Sequence, residues 1–182
     1  AQTRHFCHAL ADEYAKGCED GGHEVRRIEV ARLEFPLLRT KDEFEKGTPP
    51  DSIKQAQDAI RWADHLVIFY PLWLGSMPAL LKAFLEQVFR PGVAFEYRAQ
   101  GKMAKKLFTG KSARIVVTMG MPALVYRWFF LAHSLKSLER NILAFCGIKP
   151  TRATLIGQVE GMNERQRASW LDEMRGLGDV GK

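Results

Sequence analysis

The stretch that most constrains this chain is a five-residue apolar run, Leu66 to Tyr70, bounded by Asp64-His65 on one side and Pro71 on the other. A run so short and so continuous suits a strand buried on both faces, as in a parallel sheet with helices above and below it. Pro71 ends the strand, because proline has no N–H to give to a ladder. The loop Leu72-Trp73-Leu74-Gly75-Ser76-Met77 follows, and Pro78 opens a helix reaching residue 89, proline being favoured at the first helical position. Strand, loop and helix make half of a βαβ unit. The loop falls at the strand's carboxyl end, where open α/β sheets bind ligands. Two large apolar side chains beside a glycine there suggest a surface for a flat ring.

The rest of the chain repeats this alternation. Residues 5–16 carry Phe6, Ala9, Leu10 and Tyr14 at helical spacing, with glycines beyond to stop the helix. Residues 24–30 place Val25, Ile28 and Val30 in a partly alternating pattern that predicts a strand. Residues 31–50 read as a long connection with a short helix at 41–46, and Asp51-Ser52 can cap a helix through Trp62. In the 78–89 helix, Lys82, Glu86 and Gln87 interrupt the apolar surface. Residues 90–111 are basic and glycine-containing, with a strand-like piece at 93–97, and read as a projecting hairpin. A second buried strand is predicted at 113–118, followed by the loop Met119-Gly120-Met121-Pro122. A long amphipathic helix over 124–146 ends at Gly147, and a strand at 152–156 and a helix at 163–175 complete the chain. Helices separating strands argue for one α/β domain with a parallel sheet covered on both faces.

Composition excludes more than it selects. No apolar run in the 182 residues approaches the roughly 20 needed to span a bilayer. The three cysteines, Cys7, Cys18 and Cys146, show no CxxC spacing, which argues against a disulfide framework or a metal site and for a cytoplasmic setting. The formal charge of +6 favours anionic ligands. It fits a phosphorylated cofactor, a nucleic acid or an anionic membrane equally well. No recognition motif supports nucleic acid as a partner.

The stretch PLWLGSMPALLKAFLEQVF, followed by GVAFEY and by TMG after a strand, resembles the flavodoxin-like NAD(P)H:quinone oxidoreductases. This is the DT-diaphorase-like family, which includes quinone reductases associated with potassium efflux systems. The resemblance runs from the first helix to Gly157. It implies a three-layer sandwich with strand order 2-1-3-4-5 and a flavin at the carboxyl edge of the sheet. That flavin is FMN, with FAD possible. It also implies a homodimer and ping-pong hydride transfer from NAD(P)H to quinones or related flat electrophiles. The alternative it leaves open is an ancillary, regulatory subunit of a membrane transporter.

Carried over by position, the resemblance assigns Pro71, Leu72, Trp73, Leu74 and Gly75 to the segment along the flavin ring. Thr118, Met119 and Gly120 match the second ring loop. Tyr126 and His133 match the tyrosine and histidine near the hydride-transfer site, His133 being displaced by one residue. The structural alternatives stand beside these. Trp73 could be a core residue beneath a loop. Tyr126 sits in an aromatic stripe, YRWFF, of the kind that fills cores or dimer interfaces. His133 could be a hydrogen-bond partner only.

The phosphate end departs from the pattern. Thr3, Arg4, His5 and Phe6 match the end of the family's phosphate loop, with His5 and Phe6 as cofactor contacts. The family's first strand lies before that loop and is missing from this sequence. In the 2-1-3-4-5 order that strand is central, between 24–30 and 66–70, so both neighbours lose their common hydrogen-bonding partner.

Overall fold

The computed structural model describes residues 5–98 and 104–181. Its chain order is α1 (Phe6–Asp20), a 3-10 turn (Val30–Arg32), α2 (Lys41–Lys46), α3 (Asp51–Trp62), β1 (His65–Pro71) and α4 (Ala79–Val88). Then come β2 (Phe95–Glu96), β3 (Lys105–Lys106), β4 (Ser112–Thr118), α5 (His133–Ser137), α6 (Ala144–Cys146), β5 (Thr151–Ile156) and α7 (Glu164–Asp179). β1, β4 and β5 form a parallel sheet with β4 in the centre. This is the 3-4-5 part of the expected order.

Residues 24–29 form no strand. Among the described residues they pair with no neighbour, and an extended segment without a ladder is not a strand. The order 2-1-3-4-5 is therefore corrected at strand 2, the segment at 24–30. Ile28 and Val30 still pack on the core, as their alternation predicts. The same open edge corrects the reading of β1. Leu66 to Phe69 are half-buried, whereas every residue of β4 from Ala113 to Thr118 is buried.

Side chains of β4 alternate between two cores. Ile115 and Val117 face the layer of α3, α4 and residues 126–148. Val116 faces α1 and α7, meeting Leu10, Tyr14, Ile156 and Met174. α1 and α7 approach closely because glycines line the contact. A β-carbon on Gly17 would lie 2.0 Å from the Arg175 carbonyl oxygen, and one on Gly178 would lie 2.1 Å from that of Tyr14. Asn163 caps α7 reciprocally with Gln166.

Three elements differ from their sequence reading. Pro50, not Asp51-Ser52, precedes α3, and Pro78 precedes α4 instead of occupying its first turn. Gln87 does not interrupt an apolar surface. It is fully buried, donates to the Pro36 carbonyl at 2.6 Å, and bonds Arg90. Arg90 in turn donates to the carbonyls of Gly47 at 2.6 Å and Glu43 at 3.0 Å. The pair thus satisfies three backbone carbonyls of the 36–47 connection and ties it to α4. The basic hairpin exists as the antiparallel pair β2–β3. Lys102 within it lies outside the described residues, as do Thr3 and Arg4.

The largest departure is the helix over 124–146. It is broken into π-type turns at Val125–Phe129 and Leu138–Leu143, separated by α5, and Leu131 and Ala132 take positive φ of 54° and 47°. The cause is Tyr126. Its backbone carbonyl accepts from Ala132 N–H at 3.0 Å, and its hydroxyl accepts from Leu135 N–H at 3.2 Å. These bonds replace the regular helical partners and turn the chain. Gly147 ends the segment at φ 104°, as expected.

The glycine contact gives a test with opposite signs on one helix. Gly178→Ala forces a methyl into backbone and should lower stability by about 1–3 kcal/mol. Gly176→Ala, where a β-carbon meets nothing within 4 Å, should raise it by about 0.5–1 kcal/mol. Urea unfolding of the two variants checks both.

Candidate functional site

Parallel register brings three loops to one edge. Pro71 pairs with Thr118, and Thr118 with Ile156, so the loops after β1, β4 and β5 start level. The ladder continues past the strands: Leu72 N–H donates to the Thr118 carbonyl at 2.8 Å and Met119 N–H to that of Ile156 at 2.9 Å. The start of α1 meets this edge, since the Cys7 thiol hydrogen-bonds Thr118. Burial pushes that thiol up to about 11 against the opposing pull of the Thr118 bond, so it stays protonated at neutral pH.

The first loop is a tight turn. Trp73 and Ser76 exchange backbone hydrogen bonds of 2.8 and 2.9 Å, and Leu74 and Gly75 both have positive φ, 48° and 75°. That is the type I′ geometry, which costs a leucine about 1–2 kcal/mol. The turn carries Trp73, 63 % exposed, and a fully exposed Leu74. Trp73 is therefore not a core residue. Its N–H and that of Met119 are spent on protein carbonyls, which leaves the N–H groups of Leu74, Gly75 and Gly120 without a partner among the described residues. Pro71 and Leu72 are half-buried, while Thr118 and Met119 are buried beneath the rim.

His5 precedes α1 without a side-chain cap, and no acidic residue occupies the first turn. A fifteen-residue helix with neither a side-chain cap nor a first-turn acid among the described residues suits an anion at its start. Phe6 is half-buried beneath the Arg167 guanidinium, 5.0 Å from its ring centre.

Tyr126 and His133 are placed differently from each other. Tyr126 is 2 % exposed, and its hydroxyl is occupied by Ser134 at 2.7 Å and by the Leu135 N–H. His133 is exposed at the start of α5. Between them the aromatic stripe turns outward, with Trp128 71 % and Phe129 78 % exposed. The sequence pattern predicts this surface as one face of a continuous amphipathic helix; in the broken helix it is exposed.

The third loop, 157–162, is absent from the sequence reading. The signal available was a glycine, Gly157, directly after the strand at 152–156.

The residues present fit a flavin. An exposed indole and leucine offer a flat wall, free N–H groups offer donors, and an uncapped helix start offers a phosphate site. Among the described residues no group of His, Cys, Asp or Glu could hold a metal, and no helix is long and apolar enough to cross a membrane.

The family model for the flavodoxin-like fold matches residues 1–176. An uncharacterised NAD(P)H oxidoreductase of Haemophilus influenzae is 25 % identical over 93 % of this chain and 85 % of its own. The FMN-dependent NADH:quinone oxidoreductase 1 of Hahella chejuensis is 35 % identical over 56 % of this chain, which spans about half (52 %) of that relative. Among solved structures, NAD(P)H:quinone oxidoreductase from Methanothermobacter marburgensis superposes with a TM-score of 0.80. It is 22 % identical, over 98 % of this chain and 90 % of its own.

Tyr126→Phe should leave the buried Leu135 N–H without its acceptor, at a cost of about 1–3 kcal/mol. Thermal unfolding should show this as a fall of about 2–12 °C for a chain of this size. An unchanged melting temperature would show that the hydroxyl does not hold the broken helix.

Proposed function

The chain belongs to the flavodoxin-like fold family, and from that premise we propose that it is a flavin-dependent NAD(P)H:quinone oxidoreductase using FMN. The observation that carries the reading is the junction of the first two loops. Leu72 N–H bonds Thr118 at 2.8 Å, so an exposed Trp73–Leu74 turn stands beside Gly120 at the carboxyl edge of parallel strands. The names of the Haemophilus and Hahella relatives support the nicotinamide donor and the FMN.

What a bound flavin supplies is two-electron chemistry: hydride uptake from NAD(P)H and its delivery to a quinone, in ping-pong order. The chain's residues bind and orient. Trp73 and Leu74 cover one side of the ring and exclude water from it. The N–H groups of Leu74, Gly75 and Gly120 act as fixed dipoles toward charge on the ring, needing no reorganisation. The start of α1 at His5 and Phe6 receives the phosphate. His133 donates a proton to the quinol oxygen. Tyr126 is a positioning residue, since its hydroxyl holds Ser134 and Leu135, the neighbours of His133.

The outward aromatic stripe supports a homodimer. Leu124, Trp128, Phe129, Phe130 and Leu131 form an apolar surface that a second copy would cover. Sedimentation should give twice the chain mass, and Phe129→Glu should halve it; a monomer of unaltered protein would end this part of the reading. The free thiols of Cys7, Cys18 and Cys146 support a cytoplasmic setting.

The test is steady-state turnover of FMN-loaded protein with NADH or NADPH and menadione. Parallel double-reciprocal lines are expected. Bound FMN without turnover would overturn the enzyme reading, and co-purification with a membrane protein in that case would favour the ancillary-subunit alternative.

A further inference from the structure

The third loop, between β5 and α7, is braced from both sides. Gln158 N–H donates to the Met121 carbonyl at 3.1 Å, and Val159 N–H to that of Met119 at 3.2 Å. At Gly157 the second loop is so close that a β-carbon would lie 2.4 Å from the Ala123 nitrogen and 2.7 Å from the Met121 oxygen. From α7, Arg167 donates to the carbonyls of Val159 at 2.6 Å and Met162 at 3.3 Å while lying over Phe6. Gln158 is held at φ 56°, a left-handed conformation that favours glycine and persists where surroundings over-determine it.

What this bracing holds at the rim is Glu160. Its two carboxylate oxygens lie 3.6 and 4.0 Å from where a β-carbon on Gly120 would be. The side chain is exposed, and among the described residues no cation pairs with it. Met119, Gly120 and Met121, the second-loop residues beside it, are uncharged, and the cation that the bracing brings to this loop, Arg167, is spent on the Val159 and Met162 carbonyls. Glu160 is thus an exposed carboxylate beside a ring loop whose backbone is braced, in a chain whose net charge is +6.

We infer that Glu160 is a specificity-determining residue for the acceptor: it selects against flat acceptors that carry an anionic group and leaves neutral ones unaffected. The inference rests on the oxidoreductase reading. Two fields compete here. The positive field of the whole chain attracts anions from a distance and is screened within about 8–10 Å at physiological salt. The carboxylate acts at contact distance, where like charges about 6 Å apart in a partly hydrated rim repel enough to change binding roughly three- to tenfold.

The experiment compares menadione with a sulfonated naphthoquinone of the same ring size, using FMN-loaded protein. Glu160→Gln should raise the anionic-to-neutral ratio of kcat/KM by about three- to tenfold, with menadione turnover unchanged within about twofold. Glu19→Gln makes the same change of net charge at the far end of α1, and should leave the ratio where it was. Competitive displacement of bound menadione by the sulfonate, read by calorimetry, should show the same shift without turnover. An unchanged ratio with menadione turnover intact overturns the charge filter alone. An equal rise in both variants overturns it too, because the whole-chain field would then account for the effect. Absence of menadione turnover in every protein overturns the oxidoreductase reading, and the filter with it.

Discussion

Everything at the rim depends on the in-register parallel pairing of β4 with β1 and β5. Parallel strands all end at the same side, so three separate loops are delivered to one edge by backbone pairing. The two bonds that extend the ladder, Leu72 to Thr118 and Met119 to Ile156, lock the loops to each other after the strands have ended. β4 has hydrogen-bonded neighbours on both sides and is buried from Ala113 to Thr118. It even accommodates Arg114, whose guanidinium bonds Thr154 at 2.8 Å and whose pKa is lowered by burial.

The rim is consequently made of backbone more than of side chains. Its donors are N–H groups at Leu74, Gly75 and Gly120, and the backbone of the loop that carries Glu160 is held by hydrogen bonds from Gln158, Val159 and Arg167. Such a site costs little reorganisation when charge develops on a ligand. It also tolerates sequence change, because a backbone donor survives most substitutions of its residue.

Much of this was legible in the residues, for physical reasons. The Leu66–Tyr70 and Ala113–Thr118 runs declared themselves through continuous apolarity, and Gly147 through its place after a long helical pattern. The segment at 24–30 showed the alternation of a strand, yet alternation reports which side faces a core, and Ile28 and Val30 do face it. A ladder partner is a separate requirement that no local pattern encodes. The break in 124–146 was hidden for a similar reason. Helical periodicity continues through YRWFF, and the bonds of the Tyr126 carbonyl to Ala132 and of its hydroxyl to Leu135 interrupt it. Gln87 read as polar and therefore exposed, because the carbonyls it satisfies at Pro36 lie fifty-one residues away in sequence.

The central claim is that the rim formed by the first two loops holds a flavin ring, and a crystal structure of the protein grown with FMN tests it most directly. The account predicts the ring against Trp73 and Leu74, its polar edge toward the N–H groups of Gly75 and Gly120, and its phosphate at the start of α1. FMN bound elsewhere on the molecule, or a saturating soak that leaves this rim without density for the ring, would contradict it.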